Sequence, residues 1–92
     1  MSLTPRFTSA FKKDFKRIKK RGYDITLLHE VISILASEKK LSSKHYTHPL
    51  KGNHFGYYEC HIKPDWLLIW KINLSHKTIE FARTGTHSDL FK

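Results

Sequence analysis

The chain changes hydrophobic period near its middle. Between residues 10 and 21 apolar side chains recur at Phe11, Phe15 and Ile18, the i, i+4, i+7 spacing of one helical face. Thr8 or Ser9 offers the N-cap and Gly22 the stop. Asp24 caps a second predicted helix over residues 25–37, with Leu28, Val31 and Leu35, beside Leu27 and Ile34, as its buried face. So short a connection predicts an antiparallel helical hairpin. Ahead of it, residues 4–8 suit a short edge strand, because Pro5 is admitted only at an edge or a strand start.

Residues 38–53 are polar and hold Ser42, Ser43, Pro49, Gly52 and Asn53, which predicts a long loop with a single helical turn. Loops of this length in a compact domain are often functional. Strict alternation follows. Over 57–63, Tyr58, Cys60 and Ile62 point inward, while Tyr57, Glu59, His61 and Lys63 point to a polar face. Pro64-Asp65 makes a tight turn. Residues 66–72 are almost continuously apolar, as a central strand covered on both sides requires. A third strand spans 78–84 with Ile79 and Phe81 inward, Gly85 ends it, and 87–91 is a short tail.

These elements predict one α+β domain over residues 1–92, with two N-terminal helices packed on a curled, mainly antiparallel sheet of about four strands. The N-terminal strand joins the sheet's edge. The sheet's polar face, the 38–53 loop and the tail then border an open cleft.

Composition narrows the setting. Seventeen Lys and Arg against eight Asp and Glu give a net charge of +9, which favours nucleic acid, ribosome, an acidic protein or an anionic surface as partner. The first helix concentrates this charge: Lys12, Lys13, Lys16, Arg17, Lys19, Lys20 and Arg21 face Asp14 alone. Such runs are usually solvated faces, but this imbalance favours a real partner. The lone Cys60 permits no intrachain disulfide and fits a reducing cytoplasm. No 18-residue apolar run is present and the first residues carry no apolar signal-type segment, so no membrane association is expected.

Candidate chemistry gathers at predicted strand ends. His61, Asp65 and Trp66 flank the Pro64-Asp65 turn. An indole there stacks a base and a carboxylate takes or orients a sugar hydroxyl proton. Equally, Trp66 is a core aromatic and Asp65 an ordinary turn residue. Arg83 precedes Thr-Gly-Thr, a bend able to approach a phosphate, and His87 follows as a proton donor. Alternation alone puts Arg83 on the side of Ile79 and Phe81. Either a bulge re-aims it or it is a surface charge beyond the core. His87 is otherwise an exposed tail histidine. Seven histidines raise the question of a metal, but the ligand spacing of a zinc site is missing and Cys60 points inward, so no metal and no cofactor are expected.

The order His48-Pro49-Leu50, His61-Ile62-Lys63-Pro64-Asp65-Trp66, an apolar strand, Arg83-Thr84-Gly85-Thr86-His87-Ser88 and Leu90-Phe91 resembles the YafQ branch of the RelE/ParE superfamily of bacterial toxins. The resemblance covers nearly the whole chain. It implies a RelE-like fold and a type II toxin neutralised by a cognate antitoxin. It also implies a ribosome-dependent endoribonuclease of the bacterial cytoplasm that cuts mRNA in the A site by metal-free attack of the 2′-OH. Operator DNA would be met only through the antitoxin complex. By resemblance His48, His61, Asp65 and His87 fall on catalytic positions, and Trp66, Arg83 and Phe91 on positions that shape the substrate site. In this scheme His87 is the general acid, Asp65 or His48 the base, His61 orients or stabilises the phosphorane and Arg83 neutralises it. His45 and His54 are alternatives to His48. The competing classes are a non-catalytic basic RNA- or ribosome-binding module and an antitoxin-bound transcriptional co-repressor.

Overall fold

A computed structural model describes residues 2–91. Strand β1 (Thr4–Phe7) leads into helices α1 (Ser9–Lys20) and α2 (Ile25–Ala36). Two single 3-10 turns, Ser43–His45 and Gly52–His54, bracket a two-residue strand β2 (His48–Pro49). Strands β3 (Tyr58–Lys63), β4 (Trp66–Asn73) and β5 (Thr78–Gly85) follow, and α3 (His87–Leu90) closes the chain. The sheet runs β1-β5-β4-β3-β2, with β1 parallel to β5 and the other pairs antiparallel. It has five strands rather than about four. The addition is β2, too short and too polar to show a period, recruited from the predicted loop by pairing His48 with Glu59 and Pro49 with Tyr58.

The caps lie where the sequence offers them. Thr8 Oγ1 accepts the N–H of Phe11 at 3.0 Å and donates to the carbonyl of Ala82 at 2.8 Å, so one hydroxyl starts α1 and ties it to β5. Asp24 accepts the N–H of Thr26 and starts α2. Both helices cover one sheet face, where Phe11, Ile18, Leu28 and Val31 pack against Cys60, Trp66, Leu68, Trp70, Ile79 and Phe81. Full burial of such side chains contributes about 1.5–3 kcal/mol each. Tyr58 faces this layer as alternation predicts, yet it is half-exposed and stacks on Trp70 near the sheet's rim. Glu59 departs from the polar-face expectation in the other sense and is buried.

The bulge that Arg83 requires is present. Ile69 pairs with Arg83 but Trp70 pairs with Phe81, leaving Ala82 as an extra residue. The shift turns Arg83 onto the face opposite Phe81, while Thr84 returns to the buried layer opposite Leu68. Beyond β1 the edge of β5 has no strand partner, and Asp14 of α1 takes that place. Its carboxylate, 1 % exposed, accepts the N–H of Thr84 at 3.1 Å and two bonds from Arg83, Nε at 2.7 Å and a terminal nitrogen at 3.1 Å. Arg17 adds a contact at 3.4 Å.

The predicted tail is a capped helical turn. Thr86 accepts the N–H of Asp89, and Asp89 accepts the N–H of Thr86. Arg21 grips the same carboxylate with both terminal nitrogens, at 2.7 and 3.0 Å, and Arg17 stands 3.7 Å away. The Arg21 bonds, followed by those of Thr86, hold Asp89 far below the usual carboxylate range. Gly85, at φ 149°, lets the chain pass this carboxylate: an added Cβ would stand 2.8 Å from Asp89 Oδ2. The close approach that Gly85 permits is thus to Asp89.

Two outcomes follow from these anchors. Asp14→Ala strands a buried N–H and frees Arg83, so stability falls by about 2–3 kcal/mol, read as a lower urea midpoint at unchanged slope. For Asp89, a depressed folded pKa means its contribution is complete above the unfolded value of about 3.9 and fades as pH falls below it. Asp89→Asn is therefore destabilised at neutral pH, and its deficit against the wild type shrinks in melts taken below about pH 4.

Candidate active site

Register places the site on the open face of the sheet. One rung runs His48, Glu59, Ile69, Arg83 across β2, β3, β4 and β5. A second rung, on the same face, runs His61, Leu67, Gly85. Leu67 and Ile69 are buried and form the floor between them. His87 enters from α3, immediately after β5, and its imidazole centroid lies 5.8 Å from that of His61; His48 lies 6.3 Å from His61 on the other side. His48, His61 and His87 therefore form one row, although 39 residues separate the first and last in sequence (87 − 48).

Asp65 holds His87. Its Oδ1 accepts the backbone N–H of His87 at 2.9 Å and faces Nδ1 at 2.6 Å. Those two bonds, the backbone one first, lower the Asp65 pKa below the usual carboxylate range. An ionised carboxylate only accepts, so Nδ1 carries a proton and Nε2 is left as the nitrogen that exchanges one. Asp65 occupies the β3–β4 turn, as its turn reading expects, and its carboxylate is spent on His87.

His48 has no such free nitrogen. Nδ1 lies 2.9 Å from the carbonyl of Tyr46 and must donate to it, while Nε2 lies 2.9 Å from Glu59 Oε2. An imidazole–carboxylate contact of this length is a hydrogen bond only with a proton on one partner, so both ring nitrogens are engaged. His61 differs: Nδ1 is oriented by a 3.3 Å bond to the carbonyl of Pro64, and Nε2 makes no hydrogen bond among the described residues.

Arg83 reaches this face held by Asp14, with the guanidinium partly exposed. The bonds to Asp14 raise its pKa, so its charge is permanent. Trp66 stands apart from the other candidates. It is 2 % exposed, its Nε1 donates to Thr84 Oγ1 at 2.9 Å, and Tyr23 packs edge-on against it. The core reading of Trp66 holds and the base-stacking one does not, because the register of β4 turns the indole toward the helices; it supports the site through Thr84, which donates to the carbonyl of Leu67. Phe91 is half-exposed and meets His54 edge-on at 5.8 Å. His45 lies outside the row and contacts Ser42.

Sequence reasoning passed over Glu59, Asp14, Asp89 and Tyr46. Glu59 had a signal: it is the acid one residue from Cys60 on the histidine-bearing side of β3. Asp14 had another, as the lone acid among seven cations. No signal located the partners of either. Among the described residues no group of three His, Cys, Asp or Glu side chains is placed to hold a metal ion. None of the described helices is long and apolar enough to cross a membrane.

Comparison with known proteins agrees with this fold. Residues 3–92 match the family described as the bacterial toxin of type II toxin–antitoxin systems, YafQ. The mRNA interferase toxin YafQ of Escherichia coli K12 is 37 % identical over 86 residues, covering 92 % of this chain and 91 % of that protein. A metal-bound toxin from Helicobacter pylori superposes with a TM-score of 0.92 at 43 % identity, over 97 % of this chain and 99 % of that one. The Escherichia coli DinJ–YafQ toxin–antitoxin complex aligns with a TM-score of 0.90 at 33 % identity, with both chains fully covered. In sequence and in fold, the chain belongs to the YafQ family of type II toxins, whose curated members are mRNA interferases.

Proposed function

We propose that this toxin is an endoribonuclease that cuts mRNA in the ribosomal A site by metal-free transesterification. The observation that carries the reading is the pairing of His61 and His87, two imidazoles 5.8 Å apart whose Nδ1 atoms are occupied and whose Nε2 atoms make no hydrogen bond among the described residues. A phosphodiester between them has a base on one side and an acid on the other. In this scheme His61 Nε2 takes the 2′-OH proton as the oxygen attacks phosphorus. His87 Nε2 gives its proton to the departing 5′-oxygen, leaving a 2′,3′-cyclic phosphate and a 5′-hydroxyl. With Nδ1–H held by Asp65, it is the imidazolium form of His87 that gives a proton from Nε2, and Arg83 neutralises the charge that builds on the phosphorane.

This assignment gives His61 the base role in place of Asp65 or His48. Asp65 spends its Oδ1 on His87, and His48 is bonded at both nitrogens. The His48–Glu59 pair instead stands beside His61 and flanks the space between the imidazoles.

The polyanion reading rests on the +9 charge and on the lysines of α1, exposed after Arg17 and Arg21 are drawn into pairs with Asp14 and Asp89. Complex formation by the Escherichia coli relative supports a cognate antitoxin here, with operator DNA met only through that complex. Cytoplasmic residence is supported by the single Cys60, whose burial pushes the thiol up to about 12 and leaves it unreactive. A binding module without catalysis has no use for a carboxylate that fixes one histidine tautomer.

Cleavage of a defined mRNA on programmed ribosomes tests the reading, with EDTA present and naked RNA alongside. Wild type cuts only on the ribosome and is indifferent to EDTA, and His87→Ala lowers the rate by about 10²–10⁴-fold. His61→Ala removes the acidic limb of the pH–rate profile and His87→Ala the alkaline one. Tight ribosome binding by the wild type without a cut would leave a binding module.

A further inference from the structure

With Trp66 buried, the site needs another surface to hold a nucleobase, and Tyr46 has the properties required. Its side chain is 70 % exposed, yet its backbone is fixed. It closes the Ser43–His45 turn, donating its N–H to the carbonyl of Ser43 at 3.1 Å, and its own carbonyl accepts from His48 Nδ1 at 2.9 Å. Its φ and ψ of 47° and 50° are left-handed, a conformation in which a bulky residue is an outlier. Strain of that kind persists where the surroundings over-determine it, and it clusters at functional sites. Here it aims a carbonyl at one histidine and a ring at another. The ring meets His61 edge-on, centroids 6.0 Å apart at 78°, and among the described residues His61 is its aromatic neighbour. At that exposure much of the phenol ring is left open to a ligand.

The surroundings suit RNA. Tyr46 and His61 share the wall of a cleft of about 880 Å³ bordered by Lys40, Lys44 and Lys63, with Glu30 as its carboxylate. Phe91 follows β5 and α3 in the chain and meets His54 edge-on, whereas Tyr46 precedes β2 and meets His61.

We propose that Tyr46 is the stacking platform for the nucleobase 5′ of the scissile phosphate, the one whose ribose carries the attacking 2′-OH. The side follows from chemistry. Tyr46 touches His61, the proposed base, and the 2′-OH that His61 deprotonates belongs to the 5′ nucleoside. This assignment rests on the ribonuclease reading.

The test uses ribosomes programmed with an mRNA in which 2-aminopurine replaces the base 5′ of the cut and a 2′-O-methyl group blocks cleavage. Stacking on an aromatic ring quenches this base. Quenching is expected with wild type and Tyr46→Phe and absent with Tyr46→Leu. On unmodified mRNA, Tyr46→Leu loses about 5- to 100-fold in kcat/KM, the range of one base–aromatic stack, and keeps both limbs of the pH–rate profile. Tyr46→Phe recovers most of that loss. Equal quenching by wild type and Tyr46→Leu overturns the proposal, as does wild-type cleavage by Tyr46→Leu. A cleavage defect in Tyr46→Leu with quenching retained overturns it too and marks the ring as structural. Failure of wild type to cut unmodified mRNA defeats the ribonuclease reading instead, while the quenching of the blocked message still decides the platform.

Discussion

A buried carboxylate on α1 holds the site together. Asp14 replaces the missing strand partner at the end of β5, and without it the Thr84 N–H would be stranded. Because the same oxygens grip Arg83, one side chain fixes both the path of β5 and the direction of its cation. Three residues along the helix Arg17 touches Asp14, and a further turn on Arg21 binds Asp89, so α1 carries the constraint from the sheet to α3. His87 stands at the start of that turn. The charged helix is thus a brace as well as a basic surface, and two of its cations are committed to the fold.

Around this brace the site sorts its titratable groups by what their nitrogens are doing. Each of the three histidines in the row has Nδ1 tied: to the Tyr46 carbonyl, to the Pro64 carbonyl and to Asp65. Only the Nε2 partners differ. For His48 it is Glu59; His61 and His87 have none among the described residues. Tying one nitrogen of an imidazole settles which other nitrogen can exchange a proton, and here it separates a histidine bonded at both nitrogens from two bonded only at Nδ1 among the described residues. The anchors are two backbone carbonyls and a carboxylate on a tight turn, which position rings with little freedom.

Much of this was legible in the chain. Period 3.6 gave way to period 2 at the polar stretch, and the caps Thr8 and Asp24, the edge strand with Pro5 and the apolar β4 all lie where elementary propensities put them. Those are local effects, decided within a few residues. Even the bulge could be inferred, because a cation on the side of Ile79 and Phe81 would otherwise be buried. The resemblance to the YafQ branch supplied the candidate site residues together, which no single motif could.

Only the tertiary structure decided how those candidates divide the work. Trp66 reads equally as core or platform until the register of β4 turns its indole toward the helices. His48 reads as a free imidazole until β2 pairs it with Glu59. Asp14 and Asp89 look like stray acids until α1 crosses the end of β5 and meets α3, at separations of 69 and 68 residues from Arg83 and Arg21. Hydrophobic periodicity determines which face of an element is buried, because burial depends on a pattern summed over many residues. A hydrogen bond depends on two atoms placed to within a few tenths of an ångström, and that placement comes from the packing of elements distant in the chain.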